Sequence, residues 1–262
     1  MSQTFDLYLP GHSWLHRLDP RAKLWMVGLA VLVGLLFRQI AVLSGLLLLS
    51  HLALLTAGIP LVHVGRLWRR LLPLLAMILI LQPLFSSGGS PPLFHLGPVS
   101  VTADGVLTGL SFALRMAALA FVAAALLLTT ESAALVQGLV KLGLPYPWGL
   151  TVGLAIRYLP TTYGLFVSIK EAQQARGWIV GQGGLIRRAR SYVPILVATI
   201  IAALRLSDHL GLALAARGLG YPAQRTVRRD LHFSPADWLA VALTTLAFGL
   251  LLALGYGWGW KP

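Results

Sequence analysis

Apolar residues in this chain gather into long runs, without the strict alternation of a half-buried strand. Leu24–Phe37 and Ile40–Ile59 ("IAVLSGLLLLSHLALLTAGI") are two such runs, separated only by Arg38 and Gln39. Runs approaching the roughly 20 residues that cross a ~30 Å hydrocarbon layer predict membrane spans, here joined by a very short turn. The next segment, "PLVHVGRLWRR", differs. Arg66, Arg69 and Arg70 fall among Leu61, Val62, Val64 and Leu67, which predicts a helix lying in the interface with Trp68 at headgroup depth. Leu71–Phe85 begins a third span, Gly105–Thr130 forms the fourth, and Trp238–Tyr256 the last, closing on the aromatics of "GYGWGWKP". Residues 86–104 are dense in Gly and Pro, hold no Lys or Arg, and predict a loop.

Residues 131–236 break this pattern. "LTVGLAIRYLPTTYGLFVSIKEAQQAR" carries Arg157, Lys170, Glu171, Gln173 and Gln174, and "YVPILVATIIAALRLSDHLGLALAAR" carries Arg205, Asp208 and His209. A charge at the centre of a span costs about 2.5–3.5 kcal/mol on the insertion scale. The two stretches are therefore predicted as long amphipathic helices at the cytoplasmic side, although a hydropathy window alone would make each an ordinary span. The Gly- and Arg-rich "GWIVGQGGLIRRARS" connects them. The implied organisation is a transmembrane domain of residues 1–130 and 237–262, with a cytoplasmic-side domain of residues 131–236.

Composition sharpens the reading. Only 11% of the 262 residues are charged and 57% are hydrophobic; soluble domains carry about 25% charged residues. A membrane is the expected solvent. The net charge of +13 concentrates in residues 141–229, where twelve Lys/Arg face two acids. That placement fits positive-inside topology and anionic headgroups, and no nucleic-acid-binding motif accompanies it. The stretches near Arg21, Arg69 and Arg188 then lie inside and residues 86–104 outside, with a cytoplasmic N-terminus. The first apolar run follows Arg21 and Lys23, lacks an A-x-A cleavage site and reads as a retained span. The absence of cysteine excludes disulfides, thiol nucleophiles and cysteine metal sites.

Against this background one triplet occurs twice. Ala175-Arg176-Gly177 and Ala216-Arg217-Gly218 each sit where a helix should stop. Gly suits the left-handed position after a helix, Pro222 is a further stop signal, and a cation in the last turn favours the helix dipole. The Ala leaves the end slender, and Arg offers a planar fork of donors to a carboxylate or carbonyls. One copy is ordinary capping. Two copies on adjacent cytoplasmic helices imply two similar sockets, as two related soluble subunits would supply.

Other chemistry finds little support. The seven histidines, His12, His16, His51, His63, His95, His209 and His232, show no H-E-x-x-H or other ligand spacing, and Glu131 and Glu171 are too far apart to act as a carboxylate pair. No Walker A pattern is present. An intramembrane enzyme is thus a poor reading. Another class of ATP-driven importer docks its permease through a Glu-Ala-Ala…Gly loop. Glu171, Ala172 and Gly177 fit that in part, but Gln173 replaces the second Ala, Pro194 is too distant, and the duplicated Arg is unexplained. Arg115, inside the fourth span, suggests a polar cavity, a partner or an Arg–backbone contact. Arg157 suggests a brace or an interfacial anchor, and Arg187, Arg188 and Arg190 a headgroup-binding cluster. Gly109, Gly138 and Gly153 suggest close helix packing.

"LDPRAKL" (residues 18–24), "LLTTESAALVQGLVKLGLPYPWGLTVGLAIRYLP" (127–160), "EAQQARG" and "LAARGLGYP", in this order and spacing, resemble the transmembrane (T) component of energy-coupling factor transporters, the EcfT/CbiQ family. The resemblance covers nearly the whole chain. It implies an all-α, L-shaped integral membrane protein of about five spans, with long coupling helices crossing beneath the membrane. It further implies two ABC ATPase subunits and a small substrate-binding membrane (S) subunit as partners. Ala175, Arg176 and Gly177 would dock one ATPase, and Ala216, Arg217 and Gly218 the other. ATP and Mg would be used by those partners; this chain would bind no cofactor or metal, catalyse nothing, and pass ATP-driven motion on for vitamin or transition-metal-ion uptake. Gln174 precedes the first Ala where Ala215 precedes the second, so the two sockets need not be identical.

Overall fold

The structure, a computed structural model, describes residues 8–85, 92–96, 99–181, 183–220 and 232–257. In chain order these form α1 (Trp14–Arg17), α2 (Pro20–Leu36), α3 (Ile40–Thr56), α4 (Leu61–Phe85), β1 (Pro92–Leu96), β2 (Val99–Thr102), α5 (Ala103–Thr129), α6 (Ser132–Lys141), α7 (Tyr146–Ala175), α8 (Leu185–Ser191), α9 (Val193–Ala216) and α10 (Pro235–Gly257). Apart from the antiparallel β1–β2 pair, the described chain is helical. Among the described residues, four stretches are long and apolar enough to cross a membrane: Ala103–Thr129, Tyr146–Ala175, Leu185–Ala216 and Pro235–Ala253. The elements separate into two compact bodies, one of α1–α6, the hairpin and α10, the other of α7–α9.

The first body is organised around α5. Thr102 caps its N-terminus, accepting from the Gly105 N–H at 3.2 Å, and Asp104 lies in its first turn, where an acid favours the dipole. Gly105, Gly109, Ala113 and Ala117 recur every fourth residue and are all buried, so one face of α5 is a ridge of small side chains that ends on buried Phe121. α4 lies against that ridge. A methyl at Gly105 would stand 3.1 Å from Cα of Pro83, and one at Gly109 would stand 3.3 Å from Cβ of Gln82. In hydrocarbon, where no hydrophobic drive brings helices together, such close approach supplies the dispersion contact that holds them. α2 packs on another face of α5, with Gly34 against Leu119. Leu15, Leu18, Leu54, Ala57 and Ile59 close around Phe121.

Several expectations change. The interfacial helix and third span are one continuous helix, α4, which carries Pro73 and Pro83 within it. Trp68 packs inward: its ring stacks on His51 and Phe121 at centroid distances of 5.8 and 5.2 Å, and its Nε1–H donates to His51 Nε2 at 3.0 Å. Trp is a donor only, so His51 Nε2 accepts and Nδ1–H donates to the Leu47 carbonyl at 2.8 Å, which leaves both ring nitrogens bonded. Part of the Gly/Pro-rich stretch folds as the β1–β2 hairpin. Residues 132–141, placed with the cytoplasmic-side domain by sequence, form α6, which packs on α2 in the first body with Gly138 against Pro20. Gly109 and Gly138 sit at close packings, whereas nothing lies within 4 Å of where a Gly153 methyl would be. Pro222 and the closing aromatics from Trp258 lie outside the described residues.

In the second body α7 and α9 pack on each other, and Gly149 of α7 and Ile195 and Thr199 of α9 are buried. The predicted connection contains a short helix, α8. Trp178 Nε1–H donates to the Ser191 carbonyl at 2.9 Å, and the Gly181 N–H donates to Ser191 Oγ at 3.1 Å. These bonds fasten the segment after α7 onto the end of α8.

Candidate functional site

The two Ala-Arg-Gly triplets end α7 and α9 in the same way. After α7, the Gly177 N–H bonds the Gln174 carbonyl at 2.9 Å and the Trp178 N–H bonds the Gln173 carbonyl at 3.0 Å. After α9, the Gly218 N–H bonds Ala215 and the Leu219 N–H bonds Leu214, both at 2.9 Å. Each is a Schellman motif, a paired set of reversed bonds made possible by a left-handed residue. Gly177 and Gly218 supply it at φ +84° and +78°. Ala175 and Ala216 are the last helical residues, and Arg176 and Arg217 are the cap residues just beyond, at φ, ψ of −81°, 6° and −88°, 11°.

The same motif closes α3 through Ala57-Gly58 and α6 through Leu142-Gly143. Glycine is therefore explained by helix termination alone. Arginine is not, since α3 and α6 make the same turn on Ala57 and Leu142. Arg176 and Arg217 are both exposed and, among the described residues, neither has an ion pair or side-chain hydrogen bond. Nothing joins the two triplets by a hydrogen bond; each stands at its own helix end. Ala-to-Gly spacing made the turn legible; Arg, expected in the last turn, stands just beyond it at the cap.

Gly177→Ala and Gly218→Ala should each cost about 1–2 kcal/mol of local stability, the penalty for Cβ in the left-handed region. Amide exchange at Gln173–Trp178 or Leu214–Leu219 should then quicken roughly tenfold, with α5 unchanged. Unchanged exchange would mean the turn is held by something other than glycine.

Exposed apolar side chains line the same body. Trp148, Val152, Ile156, Leu159 and Tyr163 follow one face of α7, and Val193, Val197, Ile200 and Leu204 one face of α9. The spacing of three and four is that of a single helix face. Arg157 is exposed beside the α7 stripe.

A second polar constellation lies in the first body, and sequence reasoning passed over it. Asp19 caps α2, its Oδ1 accepting from the Arg21 N–H at 2.9 Å with Pro20 at the first helical position. The Asp19 N–H donates to Oδ1 of Asp237 at 2.7 Å, and Oδ2 of Asp237 accepts from the Ser234 N–H and Oγ–H at 2.7 and 2.6 Å. Lys23 Nζ donates to the Thr129 carbonyl at 3.0 Å and to Thr130 Oγ1 at 2.9 Å, capping the C-terminus of α5. Asp19, Lys23 and Asp237 are all buried. Three helix ends are thus tied by buried charge. "SPAD" (residues 234–237), a Ser-x-x-acid capping box with Pro at the first helical position, was the available signal.

Arg115 donates from a terminal guanidinium nitrogen to the Phe37 carbonyl at 3.1 Å, the Arg–backbone contact that was one of its sequence readings. His16 bonds Ser13 Oγ and the Leu9 carbonyl. No group of three or more His, Asp or Glu able to hold a metal occurs among the described residues.

Comparison with known proteins agrees across the chain. A family model described as "Cobalt transport protein", CbiQ, matches residues 11–226. The energy-coupling factor transporter transmembrane protein EcfT of Streptococcus equi subsp. equi is 32% identical, with 91% of each chain covered. EcfT of Acidaminococcus fermentans is 32% identical with 97% of each covered, and EcfT of Clostridium kluyveri 30% identical with 97% of this chain and 98% of its own covered. With four apolar helices long enough to cross a membrane, the chain is a multi-pass membrane transport protein. It belongs to the EcfT/CbiQ family, the transmembrane components of energy-coupling factor transporters.

Proposed function

We propose that this chain is the coupling subunit of an energy-coupling factor importer and docks two ABC ATPase subunits through Ala175-Arg176-Gly177 and Ala216-Arg217-Gly218. The supporting observation is that two helices end in the same reversed-bond turn, each with an exposed Arg at the cap that has no side-chain partner among the described residues. Such an end is narrow, and its Arg fork is free to enter a groove and pair there with a carboxylate or with carbonyls. ATP and Mg belong to the ATPases; the motion of their closure passes along α7 and α9. The apolar stripes on those helices are the surface offered to a small substrate-binding membrane subunit, and the cargo is a vitamin or a transition-metal ion.

In this reading α2, α3, α4, α5 and α10 are the five spans. α7 and α9, although long enough to cross, lie at the cytoplasmic side because of Arg157, Lys170, Glu171, Arg205 and Asp208. The N-terminus and the coupling region face the cytoplasm. Purification from native membranes in mild detergent should recover two Walker-type ATPase chains and a small apolar protein in fixed stoichiometry, identified by mass spectrometry. A purified, intact chain that brings down no ATPase would return both triplets to plain helix capping.

A further inference from the structure

α2 and α3 are each 17 residues long, about 25 Å, which falls short of a ~30 Å hydrocarbon layer. α5, at 27 residues, spans ~40 Å. The two helices are aligned by Lys23 on Thr129, Gly34 against Leu119, and Arg115 on Phe37. The α2–α3 turn therefore stops level with Arg115, while α5 runs on for twelve more residues to Ala103, packed on α4. A step is left in the body at that level. It holds a recess of about 350 Å³, whose polar wall is Arg38 and Gln39 from the turn and Thr108, Ser111 and Arg115 from one face of α5.

The recess is electropositive and incompletely bonded. Arg38 is exposed, and among the described residues no ion pair reaches Arg38 or Arg115. Arg115 spends one terminal nitrogen on Phe37 and lies over the Phe112 ring at 5.3 Å, but its Nε is buried with no partner, and so is Oε1 of Gln39. Unpaired donors on a guanidinium at membrane depth are costly and are relieved by an anion, by a water defect or by local thinning. Leu32, Leu35 and Leu36 of α2 and Met116 of α5 expose their side chains beside this level, toward the bilayer centre.

We propose that this recess binds the phosphodiester headgroup of an anionic phospholipid. Arg38 and Arg115 hold the phosphate below its usual plane, and its acyl chains lie along Leu32, Leu35 and Leu36. The short α2–α3 pair is matched to the bilayer by that lipid, which thins the leaflet at the turn. Arg donors meet phosphate oxygens, Thr108 Oγ1 adds a hydroxyl donor, and Gln39 Oε1 accepts from a headgroup hydroxyl. A choline headgroup would bring a cation beside Arg38 and supplies no hydroxyl, so phosphatidylglycerol should outcompete phosphatidylcholine.

The chain has no cysteine, so a fluorophore on Leu36→Cys reports from this site alone. The full-length chain is reconstituted in vesicles containing phosphatidylglycerol or phosphatidylcholine brominated on the acyl chains. Quenching should half-saturate at about a fivefold lower mole fraction of phosphatidylglycerol. Arg38→Gln should erase that preference, Arg38→Lys should leave part of it, and Arg66→Gln, an exposed cation outside the recess, should leave it whole. Millimolar inorganic phosphate should not relieve quenching by phosphatidylglycerol; relief would make the ligand a free anion and overturn the lipid assignment. Equal quenching by both lipids, or equal loss in Arg66→Gln, would reduce the effect to general surface charge and overturn it as well. If Arg38→Gln does not insert, Thr108→Val and Arg38→Lys decide, and a preference unmoved in both would count against the site.

Discussion

The double variant Arg176→Glu with Arg217→Glu is expected to insert normally, to lose both ATPases on purification, and to lower uptake at least a hundredfold. Each arginine caps a helix whose carbonyls already favour a cation, and each is exposed with no ion pair or side-chain hydrogen bond among the described residues. Its removal therefore costs the isolated chain little. In a complex the arithmetic differs. Truncating one member of a buried, hydrogen-bonded charge pair costs about 2–5 kcal/mol, and each ~1.4 kcal/mol is tenfold in affinity. Reversal adds repulsion to that loss. Single reversals should each weaken docking roughly thirtyfold or more, and Arg→Lys should also impair, because an ammonium cannot reproduce the planar fork. Uptake into whole cells and ATPase recovery in mild detergent, with Arg66→Glu as an exposed control, read these outcomes. Normal transport by the double variant would end the coupling assignment.

Asp237→Ala is expected to be the most damaging substitution to the first body, at about 3–5 kcal/mol. The carboxylate is 1% exposed and accepts from the Asp19 N–H, the Ser234 N–H and the Ser234 hydroxyl. Alanine leaves the buried Asp19 N–H without its acceptor and releases the partly buried N–H and hydroxyl of Ser234, and each buried unsatisfied group costs about 1–3 kcal/mol. It also removes an anion from the neighbourhood of buried Lys23. Asp237→Asn keeps the shape and one acceptor oxygen and should cost about half as much, on the same estimate. Asp208→Ala, on the exposed side of α9, should stay within about 0.5 kcal/mol. The midpoint of unfolding in mixed detergent micelles orders the three. If Asp237→Ala and Asp208→Ala unfold together, the buried tie is not what holds the three helix ends.

Much of the helical framework was legible because its signals are local. The runs behind α2 and α3 approached the hydrophobic length of a span and that behind α5 met it, and Gly177 and Gly218 marked the ends of α7 and α9. α4 was split in two by sequence because its arginines suggested an interface. The inward packing of Trp68 on His51 and Phe121, across α3 and α5, could not be seen from α4 alone. The assignment of α7 and α9 to the cytoplasmic side rests on their charges, since by length and composition both could cross.

The sequence by itself determined the solvent, the helical class, the family and the twice-used Ala-Arg-Gly device, because hydropathy, glycine stereochemistry and motif order are properties of neighbouring residues. Tertiary structure decided which polar groups meet. Asp19 and Asp237 are 218 positions apart, Lys23 and Thr130 107, and Arg115 and Phe37 78. A buried charge is tolerable only beside the partner that satisfies it, and which partner that is depends on how the helices stack. The same stacking sets α2 and α3 short against α5, and so opens the arginine-lined recess that no local reading of Arg38 or Arg115 contains.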